Sequence, residues 1–342
     1  MPRIFVYEYC TAIGLGRYLS DPAHSLYREG RAMREAVIAD LQTIPNVCID
    51  TLDHVPSSAE AEIFQALAAS SEAVFAIAPE SHGLLEERYH WTLSAGSRWL
   101  GSSAAAIRLT GNKLALARFW QSRQIPTPMT LPITDWPAGR FPAVIKPVDG
   151  AGSTATFRVD SPQEFSLAVE LARSQGETVD RLLAQDFIPG HPASVAMLIQ
   201  GETVIVLRPT FQYLSADGRF RYLGGEVPMP SALEARAVSL AERAVAGIPG
   251  LAGYVGIDLI LGDAGDGSED VAMEVNPRLT TSYVGLRALS QDCLGALLWQ
   301  WFDAGITPPP IRWKSNRIRF HADGRVERGS VPEFDIAANE LQ

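Results

Sequence analysis

Cysteine is almost absent from this chain. Only three occur in 342 residues, Cys10, Cys48 and Cys293. Their odd number and wide spacing argue against a disulfide framework or a zinc site and fit a reducing cytoplasm. Long apolar runs are missing too. None approaches the ~18 residues that a membrane-crossing helix needs. The chain opens on a strand-like run, Arg3 to Tyr7, without the pattern of a secretory signal. Positive charge is in deficit, with 29 Lys and Arg against 39 Asp and Glu, a net charge of -10 and a pI near 5.2. Such a chain gains nothing from phosphate counterion release, so nucleic acid is not an expected partner. A small anionic ligand would need a local basic pocket. The six histidines show no H-x-x-x-H spacing, and no G-x-S-x-G nucleophile elbow is present. Gly14-Leu15-Gly16 begins like a dinucleotide fingerprint, but its third glycine position, 19, is Leu. There is no internal repeat and no low-complexity tract.

What is present is an ordinary globular composition, 46% hydrophobic and 20% charged, with room for two or three domains. Up to about residue 105, strand and helix patterns alternate. Ile4 to Tyr7, Val47 to Leu52 and Ala73 to Ala78 read as strands. Ser25 to Gln42 and Ala59 to Ser70 read as helices, the first with Leu26, Met33, Val37, Ile38 and Leu41 as its apolar stripe. This alternation predicts an α/β unit with a parallel sheet. Ligands of such sheets bind beyond the carboxyl ends of the strands, where Glu8 and Glu80 stand. Further on, a helix from Leu114 to Gln124 ends at Ile125-Pro126. Phe141 to Pro147 reads as a strand, and Ala184 to Gly190 as a strand running into a turn. Three more strand-like runs precede a helix at Ser231 to Val245. After Thr307 the chain turns Pro-rich and then shows a hairpin pattern around Ala322-Asp323-Gly324.

Chemistry concentrates in a few places. Val255 to Leu261 and Ala272 to Asn276 flank a Gly- and Asp-rich connection and predict an antiparallel hairpin. Alternation puts Glu274 and Asn276 on one face, where Asp258 of the partner strand joins them. Two carboxylates and an amide make an oxygen-only set suited to Mg²⁺, with Mn²⁺ as a substitute. Arg278 follows by the same alternation and is placed to stabilise developing negative charge. Lys146 ends an apolar strand just before the small-residue loop with Gly150, Gly152, Ser153 and Thr154. Backbone N–H groups of such a loop approach phosphate closely. The lysine precedes the loop, so this is not a P-loop of the usual form. Lys113 opens a helix, against the macrodipole, as a lysine aimed at an anion would. Gln185, Asp186, Phe187 and Ile188 offer a backbone edge with apolar neighbours. Taken singly, each has a plainer reading: a solvated hairpin, a common turn, a surface lysine, a core strand end.

In this order the pieces resemble the ATP-grasp superfamily of carboxylate–amine ligases, over roughly residues 1 to 305. The resemblance implies an α/β fold, α+β in its C-terminal half. An N-terminal parallel-sheet pre-ATP-grasp domain would span 1–105, a central subdomain 106–184 and a C-terminal subdomain 185–306, with an extension at 307–342. ATP would lie between the two α+β subdomains. Lys113, Lys146 and the loop would hold its phosphates, and the loop would close over them. Residues 185–188 would hold adenine, and Asp258, Glu274 and Asn276 would hold Mg²⁺. Lys146 and Arg278 would act in catalysis. Asp186 departs from the Glu that many members carry in this hinge, where adenine contacts are mostly main-chain. The implied reaction joins a small carboxylic acid to an amine through an acyl phosphate, in a cytoplasmic enzyme able to form a homodimer.

Within the superfamily, Phe5 to Tyr9, Ser25-Leu26…Glu29-Gly30…Met33 and Glu274 to Leu286 look like the tyramine–glutamate ligase group of methanofuran-type cofactor biosynthesis. Two segments are then expected to read the substrate. One is Tyr7, Glu8 and Tyr9, with Glu8 holding an ammonium group. The other is Thr280 to Tyr283, with the Thr281 and Ser282 hydroxyls beside the metal site and Tyr283 or Tyr7 stacking on an aromatic amine. The plainer alternative is that Glu8 caps a helix and Tyr283 fills the core. Alternatives for function are a ligase for other amino acids, of dipeptide or pterin–glutamate type, and a nucleotide-binding regulator without turnover.

Overall fold

The computed structural model describes residues 1–21, 23–150 and 152–329. The N-terminal part runs β1 (Arg3–Glu8), α1 (Tyr9–Ile13), α2 (His24–Leu41), β2 (Cys48–Thr51), α3 (Ser57–Ala69), β3 (Ala73–Ile77), α4 (Leu84–Ser94) and β4 (Arg98–Trp99). Its sheet is parallel throughout, in the order β2-β1-β3-β4. The near-continuous apolar runs of β1 and β3 occupy the two central places, where both faces are covered. The expected strands and longer helices stand within a residue or two of their sequence limits. Two helices lie outside the strand–helix alternation read from sequence, the first of them matching the alternative in which Glu8 caps a helix. The short α1 is nucleated by Glu8, whose carboxylate accepts from the backbone N–H groups of Cys10 (3.0 Å) and Thr11 (2.8 Å). The other, α4, has a weak stripe, and its buried Arg88 breaks the apolar pattern.

The middle of the chain comprises α5 (Ala104–Gly111), α6 (Lys113–Ser122), β5 (Thr130–Pro132), β6 (Ala143–Pro147), β7 (Phe157–Val159), α7 (Pro162–Ser174) and β8 (Leu182–Asp186). Its four strands form a small antiparallel sheet, β5-β8-β6-β7. A larger sheet follows, made of β9 (His191–Gln200), β10 (Thr203–Val206), β11 (Thr210–Leu214), β12 (Tyr222–Val227), β13 (Gly253–Leu261), β14 (Val271–Asn276), β15 (Arg317–His321) and β16 (Val326–Gly329). Their order is β14-β13-β9-β11-β12-β15-β16, with β10 paired to β9. Helix α8 (Ser231–Val245) backs this sheet through Leu240 and Ala244 against Val255 and Ile257. Helices α9 (Ser282–Leu289) and α10 (Leu294–Ala304) follow β14. The hairpin expected near Gly324 is β15–β16; residues 330–342 of the expected extension lie outside the described residues.

One apolar core crosses from the N-terminal sheet to the large sheet. It joins Ile4, Val6 and Val37 to Tyr254, Leu286, Trp299 and Phe320. Helix α2 is the main carrier of this contact, and its polar positions add to it. Asp40 accepts from the Tyr283 hydroxyl and from Arg287 Nη2 at 2.7 Å, both on α9. Gly30 of α2 lies over Glu8, where a β-carbon would stand 2.2 Å from the carboxylate. Among the described residues no helix is long and apolar enough to cross a membrane.

Candidate active site

A cavity of about 280 Å³ opens between the small and large sheets, and the N-terminal part closes one end. The β13–β14 hairpin supplies its acidic wall. Asp258 stands opposite Glu274 and Gly256 opposite Asn276, so Asp258, Glu274 and Asn276 share a face as the alternation predicts. Asp258 accepts from Gln212 Nε2 at 3.0 Å and from Asn276 Nδ2 at 3.3 Å. Burial and the neighbouring Glu274 charge push the Asp258 carboxyl well up. Burial also pushes on Glu274, but Lys113 and Lys146 outweigh it and hold that carboxyl below its usual range. Two crowded carboxylates thus settle on opposite sides of the normal value, because the site lacks positive charge for both. A divalent cation on this oxygen-only donor set would supply that charge, so these residues fit Mg²⁺.

Two lysines face the same wall. Lys113 begins α6. Its backbone N–H donates to Val148 O (2.8 Å) and its ammonium to Gly150 O (2.7 Å), while Glu274 lies 3.2 Å away. Lys146, on β6, donates to Gln185 Oε1 at 2.8 Å, and Gln185 in turn donates to Thr130 Oγ1 at 2.8 Å. Burial first, and then the Lys113 charge, pull the Lys146 ammonium down to about 8; Glu274 and Asp258 offset part of this.

The loop after β6 borders the cavity through Gly150, Gly152 and Ser153. Ser153 donates to Phe220 O at 2.7 Å. Gly152 has φ of 61° and packs on Leu26 of α2, where a β-carbon would stand 2.2 Å from Leu26 Cδ2. Any side chain there would be strained twice over. Ala151 lies outside the described residues. Thr154 is turned out to solvent, and Thr156 lines the cavity in its place. The left-handed Ser153 and Ala155 backbones shift the register of the loop, which simple counting from Lys146 misses.

The apolar end is bordered by Gln185, Asp186, Phe187 and Ile188, with Val144, Ile260 and Met273. Phe187 stacks on Phe220, with ring centres 6.0 Å apart. The Asp186 carboxylate is bound by Arg140 at 2.7 and 2.6 Å. Its side chain is therefore engaged elsewhere, and the main chain of the hinge is what it offers. This end suits a flat, apolar ring.

At the opposite end stands Arg278, ion-paired to Glu80 (Nε–Oε1 3.0 Å) and donating to Asn276 Oδ1 at 3.4 Å. Thr280, Thr281, Ser282, Tyr222 and Glu29 complete the wall. Ser282 Oγ lies 2.9 Å from Thr280 Oγ1 and 3.1 Å from the Tyr254 hydroxyl.

Four expected substrate residues are not part of this wall. Tyr7 is fully buried, its hydroxyl donating to Glu60 and accepting from Arg88 Nε at 3.2 Å. On β1 it faces α3 and α4, away from the cavity. Tyr9 is half-buried against the same cluster, with the Arg88 guanidinium 5.1 Å from its ring centre. Glu8 is 3% exposed and spends its carboxylate on capping α1. Tyr283 is 1% exposed and bound to Asp40. The plainer alternatives hold for both Glu8 and Tyr283. Glu29, Glu80, Tyr222 and Gln212 were given no role from sequence. From sequence Glu80 stands out only as a strand-end carboxylate, and Glu29 only within the Ser25-to-Met33 stretch that resembles the tyramine–glutamate ligase group.

A metal-suited acidic hairpin, two lysines and an apolar end thus meet in one cleft between two sheets. The chain belongs to the ATP-grasp family: residues 110–282 match the ATP-grasp domain, and residues 36–107 match the pre ATP-grasp 3 domain. It is 30% identical over 211 residues to tyramine–L-glutamate ligase of Methanocaldococcus jannaschii, an alignment covering 62% of this chain and 57% of that protein. It is 28% identical over 176 residues to D-alanine–D-alanine ligase of Francisella tularensis, covering 48% and 57%. The chain thus spans a little over half the length of these relatives. Among solved structures, an ATP-grasp superfamily protein from Archaeoglobus fulgidus matches with a TM-score of 0.65 at 25% identity, over 93% of this chain and 92% of that one. The L-amino acid ligase from Bacillus licheniformis shares the fold, with a TM-score of 0.67 at 16% identity over 93% and 79%.

Proposed function

We propose that this chain is an ATP-dependent carboxylate–amine ligase, joining an acid such as glutamate to an amine such as tyramine. The observation that carries this reading is the convergence of Lys113, Lys146, Asp258, Glu274, Asn276 and Arg278 on one cavity with an apolar hinge at its far end. The apolar end takes adenine against Phe187 and Ile188. Lys113 and Lys146 hold the phosphates as point charges, and the loop at Gly150 to Ser153 keeps water from them. Mg²⁺, held by Asp258, Glu274 and Asn276, would neutralise phosphate charge when bound.

A substrate carboxylate oxygen attacks the γ-phosphorus in line, and the bond to the bridging β–γ oxygen breaks, releasing ADP. The protein's part is positioning and charge neutralisation. The amine nitrogen then attacks the acyl carbon. It loses a proton, the carbon–oxygen bond to phosphate breaks, and an amide and phosphate leave. Arg278, anchored by Glu80, stabilises negative charge on the acyl oxygen and the departing phosphate.

The relatives' substrates supply the choice of acid and amine, and the D-alanine–D-alanine and L-amino acid ligases keep a second amino acid open as the acceptor. The test is ADP and phosphate release by the purified chain with Mg²⁺ and ATP over a matrix of amino acids and amines. Release that requires both an acid and an amine is the expected result. ATP binding with no release for any pair would favour a nucleotide-binding regulator.

A further inference from the structure

Among the described residues, Glu29 is the one cavity carboxylate outside the metal-suited hairpin that lacks an ion-pair partner. It projects from α2 into the end beyond Arg278, away from the apolar hinge. At the same end Glu80 pairs with Arg278; on the hairpin Glu274 pairs with Lys113, while Asp258 is held by the neutral Gln212 and Asn276 amides and belongs to the metal-suited set. Glu29 accepts one hydrogen bond, from the Thr281 hydroxyl, and has no ion-pair partner among the described residues. Arg278 lies within electrostatic reach, but its guanidinium is committed to Glu80 and Asn276. The other neighbours, the Tyr222 phenol and the Cys10 thiol, bring no positive charge. Burial pushes the Glu29 carboxyl up, and Thr281 and Arg278 undo this only in part.

Glu29 is half-buried and faces the cavity, so a positive group bound there would stabilise its carboxylate. ATP cannot be that partner, because its phosphates are anionic. The Tyr222 phenol feels both Glu29 and Asp258, so the Glu29 end adjoins the acidic hairpin where the transferred phosphate would lie. The group that meets Glu29 is therefore part of the molecule that reacts there.

We propose that Glu29, fixed by Thr281, is the specificity residue that receives the ammonium or primary amine group of the ligase substrate. The assignment rests on the ligase reading and deepens it: one co-substrate is an α-amino acid or a primary amine bound amine-end to α2. A neutral amide in place of Glu29 keeps the Thr281 hydrogen bond and loses the charge. A charge-assisted hydrogen bond of this kind corresponds to roughly 10- to 100-fold in affinity.

The test compares wild type and Glu29→Gln with ATP, glutamate or its desamino analogue glutarate, and tyramine. Titration calorimetry of each acid and amine, in the presence of a non-hydrolysable ATP analogue, runs beside the kinetics. A KM and Kd rise of about tenfold or more for glutamate alone, with glutarate and ATP unchanged, assigns the α-ammonium of the acid. The same rise for tyramine alone assigns the acceptor amine. Glu29→Asp should recover part of either loss. Equal losses for glutamate and glutarate with no change for tyramine, a changed Mg²⁺ requirement alone, or unaltered constants overturn the proposal. If wild type releases no ADP, the ligase reading fails by itself. Glu29 is then judged on calorimetry: charge-dependent binding of the amine-bearing ligands supports it, and its absence overturns it.

Discussion

Replacing Glu274 by Gln should move ATP binding in opposite directions with and without Mg²⁺. Glu274 Oε2 lies 3.2 Å from the Lys113 ammonium, which is itself mostly buried. At an effective dielectric constant near 20, such a pair attracts by about 5 kcal/mol in gross Coulomb energy. Desolvation and the residual Gly150 contact take back more than half, which leaves roughly 2 kcal/mol that Lys113 must give up to turn toward phosphate. Removing the Glu274 charge frees that lysine. In EDTA, the variant should therefore bind an ATP analogue about 30-fold more tightly than wild type. With Mg²⁺ the sign reverses, because one of the two metal-holding carboxylates is gone. Turnover should fall to about 1% or less, a barrier increase of at least ~2.7 kcal/mol. Calorimetry in EDTA and ADP release in Mg²⁺ read the two effects separately. Weaker metal-free binding would refute the competition for Lys113, and turnover at the wild-type rate would refute the metal assignment.

Other outcomes follow from the same geometry. Lys113→Ala and Lys146→Ala should each lose most of the thermal stabilisation given by an ATP analogue, read by differential scanning fluorimetry. Since the Lys146 ammonium lies near 8, its charge is present below that pH and lost above it, so metal-free ATP affinity should fall up to about tenfold between pH 8 and pH 9. Calorimetry checks this; a fall that persists in Lys146→Met would point to Asp258 instead. Glu8→Gln should destabilise the protein by about 1 kcal/mol through the α1 cap, measured by urea unfolding, while every KM stays unchanged. Tyr283→Phe should cost about 1–2 kcal/mol by leaving the buried Asp40 short of a donor, again without a KM effect.

The parts legible in the sequence are those set by local pattern. The strict alternation of Glu274 and Asn276 and the apolar runs flanking a Gly-rich turn were enough to foresee the hairpin and its acidic face. The near-continuous apolar runs of β1 and β3, alternating with helix patterns, were enough for a parallel sheet. Lysine is also rare: Lys113, Lys146 and Lys314 are the whole complement, and two of the three meet in the cavity. What local pattern could not settle is which way a polar residue at a strand end turns. Glu8 ends β1, and Glu80 follows the end of β3 by three residues. Glu8 folds back onto the N–H groups of α1, whereas Glu80 reaches Arg278 nearly two hundred residues away. Glu29 sits on a helix whose apolar stripe says only that the opposite side is polar. That this side meets Thr281 is a fact of tertiary packing.

Helix α2 touches the loop after β6 through Leu26, the far wall through Glu29 and α9 through Asp40. The apolar end at 185–188, both lysines and the metal-suited hairpin all come from residues after 110. The far end of the cavity is thus shared along the chain: Glu29 and Glu80 come from the first hundred residues, and the Thr281 and Arg278 that bind them come from the last third. Exchange of the first hundred residues between related proteins would therefore change only one side of that end. The shared core sets the terms of such a graft. A chimera that carries α2 without its α9 partners would bring the new Glu29 to the wrong wall, so the viable recombinant takes α2 and α9 together as one heritable unit.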